Sequence, residues 1–421
     1  MRGILAIHTE RNNMKILLIN HFPLAGSGSG TYTKNLAVSL AGRGHDVTII
    51  LPENTEDYEE VPGVNLHPVF FAPEDGFSAP HDALPFNFPC FTTHPRSTMT
   101  FGDMSDEEMN LYTSAFLNAI DEEIAKGKPD VIHGQHVWIL SSLAAEYDIP
   151  LVLTAHGTDL MGFDKWPDLR HFAKKAINAS KAVITISKDN GDLVRERFPE
   201  ASQKIILMRN GYDPGVFFPE SLTREEVLGS YGLSPEDYTG KKIVIFAGKL
   251  THAKGVDVLL RAEKKYSSEI SDVLTLIVGD GEEMDHLKSL SQKLDNHTVR
   301  FLGNVDQNSL RRLYNISDVD IVPSRKEAFG LVALEAMACG IPVIATDQGG
   351  LPDFVNDSVG ALVRPEDPND LADAIIRTLS RLSDPTSAKN WRAEIHRYAR
   401  EDFAQDTIIH ELEDVYEKCC N

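Results

Sequence analysis

Apolar runs punctuate this chain, and most lead through a glycine-bearing turn into a stretch with apolar residues three or four apart. Ile16–Ile19 is the first run. It opens into His21–Gly30, rich in glycine and serine. A helical pattern follows from about Thr31 to Arg43, with Leu36, Leu40 and Ala41 on one face and Gly44 as its stop. Val47–Leu51 is the second run. Strand, glycine-rich loop, helix, strand is the order of a mononucleotide-binding half. After a gap the rhythm returns. A helix is predicted from about Glu107 to Lys126, strands over 129–136 and 150–159, and a helix from Leu169 to Ser180. A strand at Val183–Ser187, a helix to about Phe198 and a run at Ile205–Met208 follow.

The gap, from Pro62 to Asp106, contains Phe86-Asn-Phe-Pro-Cys-Phe-Thr-Thr-His-Pro-Arg96. A loop of that length inside a compact domain is functional or disordered, and the aromatics argue against disorder. Arg209-Asn-Gly-Tyr-Asp-Pro-Gly215 is a turn cluster and reads as a hinge. Beyond it the same rhythm restarts. Lys242–Ala247 is a strand, Gly248–Gly255 a loop with two lysines, and Val256 to about Tyr266 a helix. Runs beginning at Leu274 and Val299 end in glycine turns, and Leu310–Tyr314 is a short helix. Val319–Pro323 is a strand closed by proline, Leu331–Cys339 a run of strong helix formers stopped by Gly340, and Ile341–Thr346 the next strand. Gly360–Val363, a helix opening at Asp367 and a helical tail from Thr407 to Lys418 complete an α/β chain of two doubly wound halves.

Size and charge narrow the picture. At 421 residues the chain exceeds one ordinary core and suits two domains of about 200 residues each. Apolar and charged fractions of 42% and 25% are those of a globular protein. With 41 Lys and Arg against 63 Asp and Glu the net charge is −22, which argues against a nucleic-acid partner. Cys90, Cys339 and the adjacent Cys419-Cys420 show neither metal spacing nor a disulfide framework, which fits a reducing, cytoplasmic setting. Residues 1–13 lack a long apolar core. They read as an upstream extension or a start-site choice ahead of Met14, not as a signal peptide or a membrane span.

Candidate chemistry concentrates between Ser324 and Phe354, where Glu327 and Glu335 bracket the turn Phe329-Gly330. A helix start behind a glycine turn offers free N–H groups to an anion. Either glutamate alone reads as solvated; their spacing about such a turn points to a ligand. Gly26-Ser-Gly28-Ser-Gly30 is not G-x-G-x-x-G, and no ribose-binding acid follows the second strand, so a dinucleotide is not indicated. Those glycines fit either close approach of a ligand or a plain tight turn. His133 and His136 end one strand, and His156 with Asp159 ends another, where ligands of open parallel sheets sit. His133-x-x-His136 lacks a further ligand at helical spacing, so no metal site is expected. Arg170 and Lys174, four apart, with Lys175 and Lys181, form a basic face. It is either solvated or turned to an anionic acceptor or a membrane surface.

In this order the motifs resemble the retaining, nucleotide-sugar-dependent glycosyltransferases of the GT-B fold, family 4, the group 1 transferases. The resemblance runs from residue 14 to about 415. Glu327-Ala-Phe-Gly-Leu-Val-Ala-Leu-Glu335 carries it, continued by Gly349-Gly350-Leu-Pro352. Gly248-Lys-Leu-x-x-x-Lys254-Gly255, Gly279-Asp-Gly281, Asn210-Gly211 and Gly28-Ser-Gly30 support it. It implies two Rossmann-like domains facing a central cleft: an acceptor domain over 14–212 and a nucleotide-sugar donor domain over 213–398. A C-terminal helix, 399–421, would pack back on the first. The implied enzyme is a hexosyltransferase that moves a hexose from a nucleotide diphosphate sugar, UDP ahead of GDP, to an acceptor hydroxyl, with no cofactor or metal required.

The resemblance also implies roles. Glu335 would accept hydrogen bonds from the ribose, Glu327 would contact the transferred sugar, and the N–H groups of Phe329, Gly330 and Leu331 would meet the diphosphate. Lys249 and Lys254 would neutralise the leaving group. Lys249 stands where the family usually has Arg, keeping the charge and losing the bidentate fork. His156 would lie under the reacting sugar and bond its 6-hydroxyl. Gly28, Gly30, Asn210 and Gly248 would belong to the donor side. Ser29, Thr31, His136, Asp159 and Arg96 would belong to the acceptor side, whose ligand is a small molecule, a lipid-linked sugar or a glycan. Peripheral contact with the inner face of a membrane and a homodimer stay open. The rival readings are a nucleotide-sugar epimerase or a glycoside phosphorylase on the same fold, and a non-catalytic sugar-binding protein.

Overall fold

The computed structural model describes residues 13–73, 80–92, 94–270 and 272–420. Residues 1–12 of the expected extension over 1–13, and positions 74–79 and 93 of the long loop, lie outside them. The chain divides into two units. One takes the chain up to Ile186, then Asn190–Met208 and the stretch from Ile409; the other takes Ser187–Asp189 and Arg209–Ile408.

The first unit holds seven strands: β1 (Lys15–Asn20), β2 (Asp46–Glu53), β3 (Val64–Phe70), β4 (Val131–Gln135), β5 (Leu151–Ala155), β6 (Ala182–Thr185) and β7 (Ile205–Leu207). All pair in parallel, in the order β3-β2-β1-β4-β5-β6-β7. β1, β4, β5 and β6 are buried almost end to end, as expected where helices cover both faces of a sheet. That burial explains why they read as continuous apolar runs.

Two sequence expectations change here. β3 lies inside the segment read as a loop. Val64-Asn-Leu-His-Pro-Val-Phe70 alternates poorly and carries Pro68, because it is a half-exposed edge strand, where proline is tolerated. The helix after the glycine-rich segment starts earlier than Thr31 and spans Gly28–Gly42, with Ser27 Oγ accepting the Gly30 N–H at 3.0 Å. Gly28, Ser29 and Gly30 are its first turn, behind the Ser27 cap. The long loop is ordered where described, and Phe86, Phe88, Phe91 and Phe101 join Tyr112 and Trp138 in the core. Its aromatics hold the fold.

The final helix, Gln405–Cys420, contributes its stretch from Ile409 to this unit. Buried Glu413 accepts from Arg43 Nε (2.5 Å), Arg43 Nη2 (2.8 Å) and the His45 ring (3.1 Å). Tyr416 Oη meets His133 Nδ1 at 2.7 Å. On the basic face, Arg170 donates to the Phe163 carbonyl at 2.6 Å and Lys175 pairs with Glu146 at 2.7 Å, which leaves Lys174 and Lys181 exposed. No helix among the described residues is long and apolar enough to cross a membrane.

The second unit holds β8 (Lys242–Ala247), β9 (Val273–Val278), β10 (Val299–Gly303), β11 (Val319–Val322), β12 (Val343–Thr346) and β13 (Gly360–Val363). They too are parallel, in the order β10-β9-β8-β11-β12-β13. Strand order reverses between β1 and β4 in one sheet and between β8 and β11 in the other. Such reversals open a crevice at the carboxyl edge, where ligands of this architecture bind.

Candidate functional site

In the second unit β8 runs into Gly248 and the exposed Lys249, and the loop closes at Lys254-Gly255 before helix Val256–Glu269. Gly255 has φ 67°, and a Cβ there would sit 2.0 Å from the Pro323 carbonyl, so the loop lies directly on the end of β11. That contact sets Lys254 Nζ 2.6 Å from Glu327 Oε2, which also accepts from Ser324 Oγ at 3.1 Å. The two residues assigned to different parts of a donor are thus bonded to each other in the free chain. Beside them Arg325 holds both Asp257 oxygens, at 2.7 and 2.9 Å, and also pairs with Glu366. Gly349 (φ 55°) floors the turn: a Cβ would fall 1.6 Å from the Glu327 carbonyl.

Gly330, φ 99°, caps helix Leu331–Ala338. Among the described residues the N–H groups of Phe329, Gly330 and Leu331 have no hydrogen-bond partner. Glu335 is half-buried, and burial alone pushes its carboxyl up to about 8, with no hydrogen bond to offset it. Asp320 on β11 is fully buried, and burial, opposed by the Ile321 N–H and reinforced by Glu335, pushes its pKa well above the usual range. The arrangement offers an anion three N–H groups and two lysines, and offers hydroxyls the carboxyls of Glu327 and Glu335. Asn210 makes no side-chain hydrogen bond to these residues. It is buried with Oδ1 unpartnered, and the adjacent Gly211 packs on Gln405.

In the first unit, His21 follows β1 and His156 follows β5. His21 Nδ1 lies 3.2 Å from the Gln135 carbonyl, and Nε2 accepts the Leu140 N–H at 3.2 Å. His156 Nε2 lies 3.0 Å from Gln135 Oε1, and its ring meets those of Tyr32 (5.1 Å) and His136 (4.8 Å). Burial pushes His156 down to about 3, so the imidazole is neutral at physiological pH.

Several expected acceptor residues stand elsewhere. His136 is fully buried with φ 94°; its ring packs among His21, Phe22 and Phe91, and neither nitrogen has a partner. It presents nothing to an acceptor. Asp159 is also fully buried, and its carboxylate accepts the N–H groups of Val137 (2.8 Å), Gly157 (2.8 Å) and Leu160 (3.1 Å). It caps its own helix and pins the loop after β4. His133 lies within the sheet, bonded to Tyr416 and to Thr154 Oγ1 (2.7 Å). Among the described residues no three His, Cys, Asp or Glu side chains are grouped to hold a metal ion.

The glycine-rich turn serves the fold at one position and is open at another. A Cβ at Gly30 would fall 2.3 Å from the Pro23 carbonyl, whereas one at Gly28 would meet nothing within 4 Å. The Ser29 carbonyl accepts the Thr33 hydroxyl (2.7 Å), and Thr31 Oγ1 donates to the Ser27 carbonyl (3.1 Å). Arg96 binds Glu53 at 2.8 and 3.3 Å, and its carbonyl takes the amides of Asn54 and Asn87. These loops enclose a cavity of about 280 Å³ lined by Ala25, Glu53, Tyr58 and Arg96 among others. Sequence reasoning missed Gln135, Tyr32 and the Arg325–Asp257 pair, none of which belongs to a recognisable motif.

Two family models match the chain: glycosyl transferases group 1 over residues 234–401 and glycosyltransferase family 4 over residues 26–216. An uncharacterised glycosyltransferase of Methanocaldococcus jannaschii is 29% identical over 384 residues, 87% of this chain and 89% of that protein. The D-inositol 3-phosphate glycosyltransferase of Mycolicibacterium smegmatis is 30% identical over 411 residues, 90% of this chain and 86% of that protein. Among solved structures, HepE of Anabaena in complex with UDP and glucose matches with a TM-score of 0.68 at 18% identity, covering 96% of this chain and all of that one.

Proposed function

As a member of the group 1 glycosyltransferases of family 4, to which the chain belongs, the protein is a hexosyltransferase, and we propose that it takes its hexose from a UDP-sugar, with retention of anomeric configuration and no metal. The observation that carries this reading is the Lys254–Glu327 pair beside three unpartnered N–H groups, one helical turn ahead of an unpaired Glu335. A diphosphate suits the helix start, where free N–H groups and the helix dipole favour negative charge. Lys254 then exchanges Glu327 for phosphate oxygens, with Lys249 adding charge, and Glu327 is released to the hydroxyls of the transferred sugar. Glu335 accepts from the ribose. UDP leads over GDP because a structural neighbour was solved with UDP and glucose.

In the reaction the bond from the anomeric carbon to the diphosphate oxygen breaks and one from that carbon to the acceptor oxygen forms on the same face. The acceptor proton passes to the leaving diphosphate. His156, neutral, bonds a hydroxyl of the sugar and stabilises its developing positive charge. Catalysis then rests on placement and on stabilising charge at the diphosphate. The acceptor binds on the first unit, with Arg96, Ser29 and Thr31 as its remaining sequence-derived candidates. The test is incubation with UDP-glucose, UDP-galactose and GDP-mannose, with and without EDTA, following nucleotide release and the anomeric configuration of any product. Release from a UDP-hexose that survives EDTA supports the reading; dependence on added metal, or an inverted product, overturns the corresponding part.

A further inference from the structure

We propose that Gln135 is a positioning residue for the transfer: its side-chain oxygen keeps the His156 proton on Nε2 and leaves Nδ1 as the ring's acceptor for a hydroxyl of the transferred sugar. The inference rests on the assignment of His156 to that sugar made above. A neutral imidazole carries one proton, and the nitrogen facing an acceptor-only oxygen must be the one that holds it. Gln135 Oε1 faces Nε2 at 3.0 Å. Nδ1 has no partner among the described residues, and it is not sealed off as both His136 nitrogens are.

Gln135 has a fixed backbone, and among the described residues its amide makes one hydrogen bond, through Oε1, with its own Nε2 buried and unpartnered. It is the last residue of β4, paired in register with Asn20 of β1 and Thr154 of β5, and its carbonyl takes the His21 ring. The imidazole in turn is held edge-on by Tyr32 and tilted against His136. The titratable groups that face it are His133, His136 and Tyr32, with His21 packed against His136. Burial lowers the three histidines, His21 and His133 to about 3, and raises Tyr32 to about 12, so none of them carries charge near neutral pH. The Asp159 carboxylate is occupied by three backbone N–H groups. Burial is the only cause of the His156 shift, with no contribution from a neighbouring charge, so the Gln135 amide is the group that orients its proton.

The test uses the full-length protein with ¹⁵N-labelled histidine. Long-range ¹H–¹⁵N spectra read the His156 tautomer, and UDP-glucose turnover is followed in parallel. Wild type is expected as the Nε2–H form. Gln135→Leu is expected to populate Nδ1–H and to lower kcat about tenfold or more, because a misplaced proton forfeits orientation, while KM for UDP-glucose stays within about twofold. Gln135→Glu, nearly isosteric, keeps an acceptor opposite Nε2 and so retains the tautomer. Its carboxylate raises the His156 pKa, so kcat falls on the acid side at a higher pH than in wild type. An Nδ1–H tautomer in wild type, an unchanged tautomer in Gln135→Leu, or a shifted one with unchanged kcat overturns the proposal. If the leucine variant does not fold, the tautomer and acid limb of Gln135→Glu decide alone. Failure of the underlying assignment shows separately: His156→Ala would then turn over like wild type.

Discussion

At Glu335 burial and charge oppose each other. The carboxyl is raised to about 8 in the free protein against about 4.5 in an unfolded chain, with no hydrogen bond to compensate. Because the folded form holds the proton more tightly, the stability this group contributes is complete below about pH 4.5 and is lost as pH rises through about 8. Urea midpoints at pH 6 and pH 9 should therefore fall more in wild type than in Glu335→Gln. Donor hydroxyls supply the bonds the carboxylate lacks, so Glu335→Ala should weaken UDP binding about tenfold or more by calorimetry, the scale of a lost hydrogen bond to a charged group. His156→Ala should separate from it. Its neutral ring touches no phosphate in this account, so kcat should fall about a hundredfold with UDP affinity nearly unchanged.

Among the elements, the turn from Glu327 to Gly330 depends on a neighbour that leaves no room for a side chain. Gly349 combines φ 55° with a carbonyl where its Cβ would go. Gly349→Ala should cost about 2 kcal/mol or more in denaturant unfolding and should disturb UDP binding together with stability. Much at this scale was legible in the sequence. Buried parallel strands give continuous apolar runs, and Glu327 and Glu335 bracket a turn whose Gly330 is required by φ. β3 was not legible, because an edge strand with Pro68 has no continuous run. Helix Pro385–Phe403 did carry a signal, an Asp384 cap, proline at the first position, and Trp391, Ile395, Ala399 and Phe403 four apart on its buried face. His136 and Asp159 show the opposite limit. Sequence places both at strand ends, but only the fold reveals that one is sealed among aromatics and the other consumed by N–H groups from two loops.

Over the whole molecule, a net charge of −22 leaves an anionic donor dependent on local positive potential, which Lys249, Lys254 and one helix start provide. The C-terminal helix is part of the first unit's stability. Glu413 is 2% exposed and satisfied by the partly exposed Arg43 and the buried His45, so Glu413→Ala leaves the His45 ring without that partner and should cost about 1.5 kcal/mol, read as a lowered unfolding midpoint. The central claim is that the Glu327–Glu335 turn is the donor site of a nucleotide-sugar hexosyltransferase. Nucleotide release from a panel of UDP- and GDP-hexoses, compared between wild type and Glu335→Ala, tests it most directly. The account predicts release from a UDP-hexose by wild type and a loss of about tenfold or more in kcat/KM in the variant. Equal release by both proteins, or none from any nucleotide sugar, would contradict it.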